Sequence, residues 1–340
     1  MLRTIVTVSL LVALAGAAQA QLAFQGVDPN LLSRLLQKYK SEPRTFEFGM
    51  IGDQQYGAEG ERKFPALTNS MNRARLEFVT HNGDFKNGSS VCSNAVFQNR
   101  LESFEAFEHP FILTPGDNDW TDCHRANNGA YDPLERLAMI RRMFYPNNFT
   151  LGKRKMEVVR QSDDPRFSLY RENAIWAVGN VVFASVHVIG SNNNWGRTPE
   201  QDMEYTARNL ANLYWLRTAF AFARDGNFDG VFIVMQADMN WELPATAYDR
   251  LGFNDTIVVL SQEVQAFKKP VLLTNGDTHY LKIDKELRGL RSGRRLENFT
   301  RVQNFSDLDA HWLKVRVEPN NPNLFVVEQA IVPENVFVHP

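Results

Sequence analysis

Short apolar runs alternate with stretches of helical periodicity along most of the chain. Residues 28–40 read as an opening helix, 46–51 as a compact strand and 64–75 as a helix. Residues 76–80 form a second apolar run, followed by an amphipathic stretch at 95–107. A third run at 111–114 precedes a helical stretch at 134–144. The middle of the chain changes style. Residues 167–170, 174–178 and 181–189 read as consecutive strands, with Gly179-Asn180 as a hairpin turn. Thr198-Pro199-Glu200 then supplies an N-cap, a proline for the first turn and an acid for the helix dipole. Apolar periodicity continues from there to residue 223. Further buried-type strands at 231–235 and 271–274 flank a helix at 256–267. Strand patterns at 280–283, 312–317 and 324–332 close the chain. Strands alternating with helices imply parallel βαβ pairing, and the consecutive strands imply antiparallel pairing. Two sheets between helical layers satisfy both halves.

The first twenty residues differ from the rest. Arg3 gives a positive start, an apolar run spans 5–17, and Ala18-Gln19-Ala20 is a small-x-small cleavage site. The run is shorter than the roughly 20 residues a bilayer requires. Residues 1–20 therefore read as a signal peptide and 21–340 as one exported domain, periplasmic or extracellular, with no stable membrane insertion. An oxidising compartment gives meaning to Cys92 and Cys123, the two cysteines of the chain. A bridge between them would contribute about 3–4 kcal/mol in the chain-entropy model; the alternative is two unrelated buried thiols. The net charge of −2 gives no basic excess to neutralise a nucleic-acid backbone. The sequons at Asn87, Asn148, Asn254, Asn298 and Asn304 matter only in a host that glycosylates.

Chemistry concentrates where apolar runs end. Asp53 and Gln55 follow the first run, Asp84 the second, and Asp117 with Asn118 the third. Gln236 follows a fourth, and Asp277 with His279 a fifth. In open α/β sheets ligands gather outside the carboxyl ends of strands, so five such loops can converge. Gly52, Gly83 and Gly116 stand beside three of the aspartates and permit sharp turns. Each fragment alone is ordinary turn chemistry; the shared setting is what singles them out.

The order of these blocks resembles the calcineurin-like metallophosphoesterase superfamily, and TPGDNDWTDCHR resembles a secreted branch with a P-G-D-N-D-W stretch. The resemblance spans Asp53 to about Ile283. It implies a four-layer α/β/β/α sandwich with two mixed sheets. It further implies hydrolysis of a phosphate monoester or diester by metal-activated hydroxide at a two-metal site. Carried over, Asp84 bridges the metals; Asp53, Gln55 and His279 hold one; Asp117, Gln236 and Asp277 hold the other. A one-residue shift would make Asn118 the ligand instead of Asp117.

This chain departs from the pattern at four places. Gln55, Asn118, Gln236 and Asp277 occupy positions where the superfamily carries histidine. A ligand set of carboxylates and amides favours manganese or magnesium over zinc, with calcium also compatible. Asn118 takes the place of the general-acid histidine, and His124 in the same loop is the candidate replacement, with a surface loop histidine as the alternative. Ser191 to Trp195 is either a pocket lining or a polar loop closed by a core tryptophan. His81 reads as a buried supporting residue. The basic stretch 282–295 is either a solvated face or a steering surface for anionic substrates. Two further classes remain open: a relative that binds metal or a phosphorylated ligand without turnover, and a structural calcium-binding protein.

Overall fold

The computed structural model describes residues 27–305 and 307–336, so the signal-peptide reading lies outside the described residues. Among the described residues twelve strands form two mixed sheets. The first sheet contains β1 (Phe46–Ile51), β2 (Val79–His81), β3 (Phe111–Leu113), β11 (Trp312–Val317) and β12 (Phe325–Ala330), in the order β12-β11-β1-β2-β3. Its β1, β2 and β3 are parallel, and β11 and β12 are antiparallel additions. The second sheet contains β4 (Val159–Arg160), β5 (Ala174–Val178), β6 (Val181–Ser185), β7 (Gly230–Val234), β8 (Val271–Asn275), β9 (Lys282–Asp284) and β10 (Phe299–Gln303). Its order is β4-β5-β6-β7-β8-β10-β9, with β6, β7, β8 and β10 parallel.

Strand alternation builds the layers. On β6, Val181 and Phe183 face the first sheet and pack with Phe48, Phe78 and Phe232. Val182 and Ala184 face the other way, into the core beneath helices α1 (Pro29–Tyr39), α5 (Pro199–Asp225) and α6 (Asn254–Phe267). The outer face of the first sheet is covered by α2 (Gly57–Arg73), α3 (Asn94–Glu105) and α4 (Pro133–Phe144), through Phe64, Phe104 and Phe144. The result is helix, sheet, sheet, helix, with an aromatic core between the sheets.

Caps set the helix starts. Thr198 Oγ1 accepts from Gln201 N at 3.3 Å, and Asp132 Oδ1 accepts from Leu134 N at 2.8 Å. Each precedes a proline in the first turn.

Three differences from the sequence reading have physical causes. Residues 167–170 are not a strand: Asp164 caps a 3-10 turn at Pro165–Phe167, and Phe167, Tyr170 and Tyr214 form a small aromatic cluster. α2 begins at Gly57, seven residues before the apolar periodicity, because its first turns expose Ala58, Glu59, Glu61 and Arg62. β10 escaped notice because Arg301 sits fully buried in the middle of the strand. Its guanidinium is satisfied by Asp284 and by Asp238 at 2.9 Å, which makes a buried charge tolerable.

Candidate metal centre

β1, β2 and β3 of the first sheet and β7 and β8 of the second end at one edge. The loops that follow carry the residues predicted to meet. Asp84, Asp117 and Asp277 do meet, with one carboxylate oxygen of each lying within 4.8 Å of the others. Asp53 is joined to Asp277 through the Asp277 N–H, which donates to Asp53 Oδ1 at 3.3 Å. His279 Nε2 lies 3.4 Å from the same oxygen. Gln236 Nε2 donates to Asp84 Oδ2 at 3.0 Å and to Asp117 Oδ1 at 3.1 Å. Asn118 donates to Asp84 twice, from its backbone N at 3.0 Å and from Nδ2 at 3.1 Å.

Tight turns make this convergence possible. Asp53, Asp84, Asp277 and His279 all have left-handed backbone, with φ of 54°, 55°, 81° and 56°. Such conformations cost of order 1–3 kcal/mol each and persist where the surroundings impose them. Gly116 must be glycine here, since a Cβ would fall 2.0 Å from Asp84 Oδ1. Cys92 and Cys123 are bridged, with Cα atoms 5.7 Å apart, tying the chain after Asp84 to the chain after Asp117.

Burial and like charge dominate the electrostatics. Burial, then the charges of Asp117, Asp119, Asp53 and Asp277, raise the Asp84 carboxyl well above its ordinary range. Burial and the neighbouring Asp117 and Asp53 raise Asp277 likewise. Burial raises Asp53, although hydrogen bonding to His279 opposes it. That same hydrogen bond raises His279. Asp53 Oδ2 is buried with no hydrogen-bond partner. A divalent cation would relieve both the mutual repulsion and the orphaned oxygen, so this donor set fits one. Its predominance of oxygen suits the harder ions.

Other predicted residues fall differently. Gln55 is buried, but its side-chain amide nitrogen has no partner, and its backbone carbonyl accepts from Arg100 at 3.4 Å. His124 is exposed on the 3-10 turn Thr121–His124, its Nδ1 donating to Thr121 O at 2.7 Å. It lines a cavity of about 710 Å³ with Arg125, Asp132, Arg197, Thr198 and Glu200. This cavity does not contain the carboxylates but adjoins them. Asn118 Oδ1 and Arg125 Nη1 flank Gly88 from either side, 2.9 and 3.2 Å from where a Cβ would stand. Trp195 is partly exposed against Tyr248 and closes no core. In the basic stretch, Lys282 pairs with Glu242 and Arg295 with Glu286, so much of its charge is locally matched.

Three residues at the centre escaped the sequence reading, and a fourth, Ser191, stood only in a loop read as a pocket lining or a polar loop. Asp119 braces the Asp84 loop, accepting from Asp84 N at 3.0 Å, Phe85 N at 2.9 Å and Gly116 N at 2.7 Å. Burial lifts its carboxyl to about 7 despite these bonds. Tyr56 OH accepts from Asn118 Nδ2 at 2.9 Å. Ser191 Oγ donates to Asp117 Oδ2 at 2.6 Å. Lys86 is buried beside Asp119 and Asp84 and donates to Asn87 O at 3.0 Å. Position inside the G-D-N-D-W motif was the available signal for Asp119; nothing local marked Tyr56 or Lys86.

No protein-family model matches this chain, and no curated protein matches it in sequence. Solved structures do. PhoD superposes with a TM-score of 0.54 at 11% identity, over 86% of this chain and 69% of that one. TT1561 of Thermus thermophilus gives 0.44 at 8% identity, over 85% of this chain and 100% of that one. The 5'-nucleotidase from Candida albicans SC5314 gives 0.42 at 13% identity, over 86% of this chain and 52% of that one. On the likeness to PhoD and the four layers described above, this chain has a calcineurin-like metallophosphoesterase-type fold.

Proposed function

We propose that this protein is an exported, metal-dependent phosphoric ester hydrolase acting on small phosphate monoesters or diesters. Residues 1–20 would be removed and 21–340 would form the catalytic domain. One observation carries the reading: on a metallophosphoesterase-type fold, Asp84, Asp117 and Asp277 converge within 4.8 Å at the strand ends. Two divalent ions, manganese or magnesium, would be held by Asp53, Gln55, Asp84, Asp117, Asp277 and His279, with Gln236 beside them. Bound there, such ions supply Lewis acidity that polarises the phosphoryl group and lowers the pKa of the attacking water.

The chain's own residues do the rest. Asn118 Nδ2 spends both of its hydrogens on Asp84 and Tyr56, and it has no acidic proton for the leaving group. His124 donates through Nδ1 to Thr121 O, so only its imidazolium form would carry an Nε2 proton to give to a departing alkoxide. Arg125 and Arg197 line that cavity and both pair with buried Asp122, at 2.8 and 3.6 Å. They would hold the part of the ester that does not react. Among the described residues no helix is long and apolar enough to cross a membrane, and the bridged cysteines suit an oxidising compartment.

A second reading is binding without turnover, favoured by Asn118 and Gln236, neutral amides at positions where the superfamily has imidazole. The deciding test is hydrolysis of aryl phosphate mono- and diesters by metal-stripped protein, each divalent ion being restored separately. Turnover restored by manganese or magnesium and lost in Asp84→Ala establishes the enzyme. Metal binding with no turnover under any ion establishes the second reading.

A further inference from the structure

Gln236 stands where a metal ligand was expected, and its side chain is oriented the wrong way round for one. Its backbone is clamped, the N–H donating to Val188 O and the carbonyl accepting from Gly276 N, each at 3.0 Å. The side chain is fully buried. Its Oε1 accepts from Gly190 N at 2.5 Å, while Nε2 donates to Asp84 and Asp117. An amide has one oxygen and one NH₂. A backbone N–H can only donate and an ionised carboxylate can only accept, so this orientation alone satisfies all three partners. Reversing it would set oxygen against two carboxylate oxygens and NH₂ against N–H.

Gly190 cannot move aside to release the amide. A Cβ there would lie 2.5 Å from Asp277 Oδ1 and 2.9 Å from Asp117 Oδ1, so its backbone already forms the wall of the centre. Ser191 to Asn194 follow with four successive left-handed residues, φ 52° to 66°. Buried Arg208 holds this run, donating to Asn193 Oδ1 at 2.7 Å and Asn193 O at 3.0 Å.

Amide nitrogen offers a cation no lone pair. Donors also occupy part of the rest of that half of the centre. Both oxygens of Asp84 accept from Asn118, and Asp117 accepts from Gln236 through Oδ1 and from Ser191 through Oδ2. On Asp53, Oδ1 accepts from Asp277 N and Tyr56 OH, while Oδ2 is buried without a partner. We propose that Gln236 is a fixed hydrogen-bond donor and not a ligand. The two-ion ligand set then loses one member, so one divalent-cation position is tight and the other weak. This rests on reading the cluster as a metal centre, and it makes the two cation positions unequal.

The test is the metal stoichiometry of the full mature chain. Stripped protein is titrated with Mn²⁺ by calorimetry, and metal retained after desalting is counted by elemental analysis. One retained equivalent is expected, with the second weaker by at least about ten-fold. Gln236→Met, which removes both amide atoms, should keep the tight equivalent. Gln236→His should bring the second equivalent within reach of the first. Two equivalents of equal affinity in the parent would overturn the proposal, as would none retained. Loss of the tight equivalent in a folded Gln236→Met would do the same. Aryl phosphate turnover is read separately. One tight ion with no turnover under any metal would sink the phosphoesterase reading and leave the assignment of Gln236 standing. Turnover with two equal ions would do the reverse.

Discussion

Replacing Asp277 by asparagine should stabilise the protein when metal is absent and disable it when metal is present. Asp277 Oδ2 accepts from Asp238 N at 3.1 Å, a role the asparagine oxygen can keep. The new NH₂ would then face Asp117, turning a repulsion into a hydrogen bond. Two unit charges 4.8 Å apart repel by about 3 kcal/mol at an effective dielectric of 20. The penalty has a ceiling, because a carboxyl with an ordinary value of 3.8 can instead take up a proton at pH 7 for about 4 kcal/mol. Asp277 is also partly exposed, which screens it, so the expected gain is about 1–3 kcal/mol, or some 2–6 °C in Tm.

The pH dependence gives this its sign. The folded-state value of Asp277 is raised, so the metal-free folded protein binds more protons than the unfolded chain. Its contribution is intact below the unfolded value near 4 and lost as pH rises toward neutrality. Calorimetric melts of both proteins in chelator, between pH 5 and pH 8, should show the Asp277→Asn advantage growing with pH. With excess Mn²⁺ the order should invert, since only the parent gains from cation binding. An Asp277→Asn protein less stable than the parent in chelator at pH 8, or a difference flat with pH, would refute the reasoning.

Other outcomes follow from the same geometry. His81 is held neutral, accepting from Gly83 N at 3.1 Å and donating to Gln54 O at 3.0 Å, and burial lowers it to about 3. Its contribution is complete above the unfolded value of 6.5 and declines as the pH falls below it. A folded His81→Gln should therefore lose about 2–3 kcal/mol less than the parent between pH 7 and pH 4, by denaturant titration. Removing the Cys92–Cys123 bridge in a double Cys→Ala variant should cost about 3–4 kcal/mol of stability, read from chemical denaturation. Arg125→Ala and Arg197→Ala should raise KM for esters with a second anionic group, leaving kcat for a simple aryl phosphate near the parent value; equal losses on both substrates would remove the cavity from recognition. Arg208→Met should lower stability by about 3–5 kcal/mol, because it leaves Glu204 unpaired at a buried ion pair.

Periodicity revealed the layers of this protein because strands such as β6 are unbroken apolar runs and helices such as α5 open on a clear cap and proline. It failed where polarity is buried, as at Arg301 in β10, or where a helix opens on an exposed face, as at Gly57 to Lys63. The strand-end aspartates were legible through a pattern of apolar run, glycine and acid that repeats at distant points of the chain. Tyr56 and Lys86 were not legible, since each reaches the centre through three-dimensional contacts with no local signature. The orientation of Gln236 belongs to the same class. A sequence names the amide, but only the neighbouring Gly190 N–H decides which of its atoms faces inward.

Asp53, Asp84 and Asp117 follow strands of the first sheet, whereas Gln236, Asp277 and His279 follow strands of the second. Any cation bound here is therefore a rivet between two independently hydrogen-bonded sheets, and its affinity adds to their cohesion as RT ln(1 + [M]/Kd). Chelation should loosen the molecule first along this seam and not through its helices. Amide hydrogen exchange should quicken in the loops after β1, β2, β3, β7 and β8, while the aromatic layer between the sheets stays protected. In an environment poor in divalent ions, susceptibility to proteolysis at those loops would then report metal supply, and the turnover number and the lifetime of the protein would fall together.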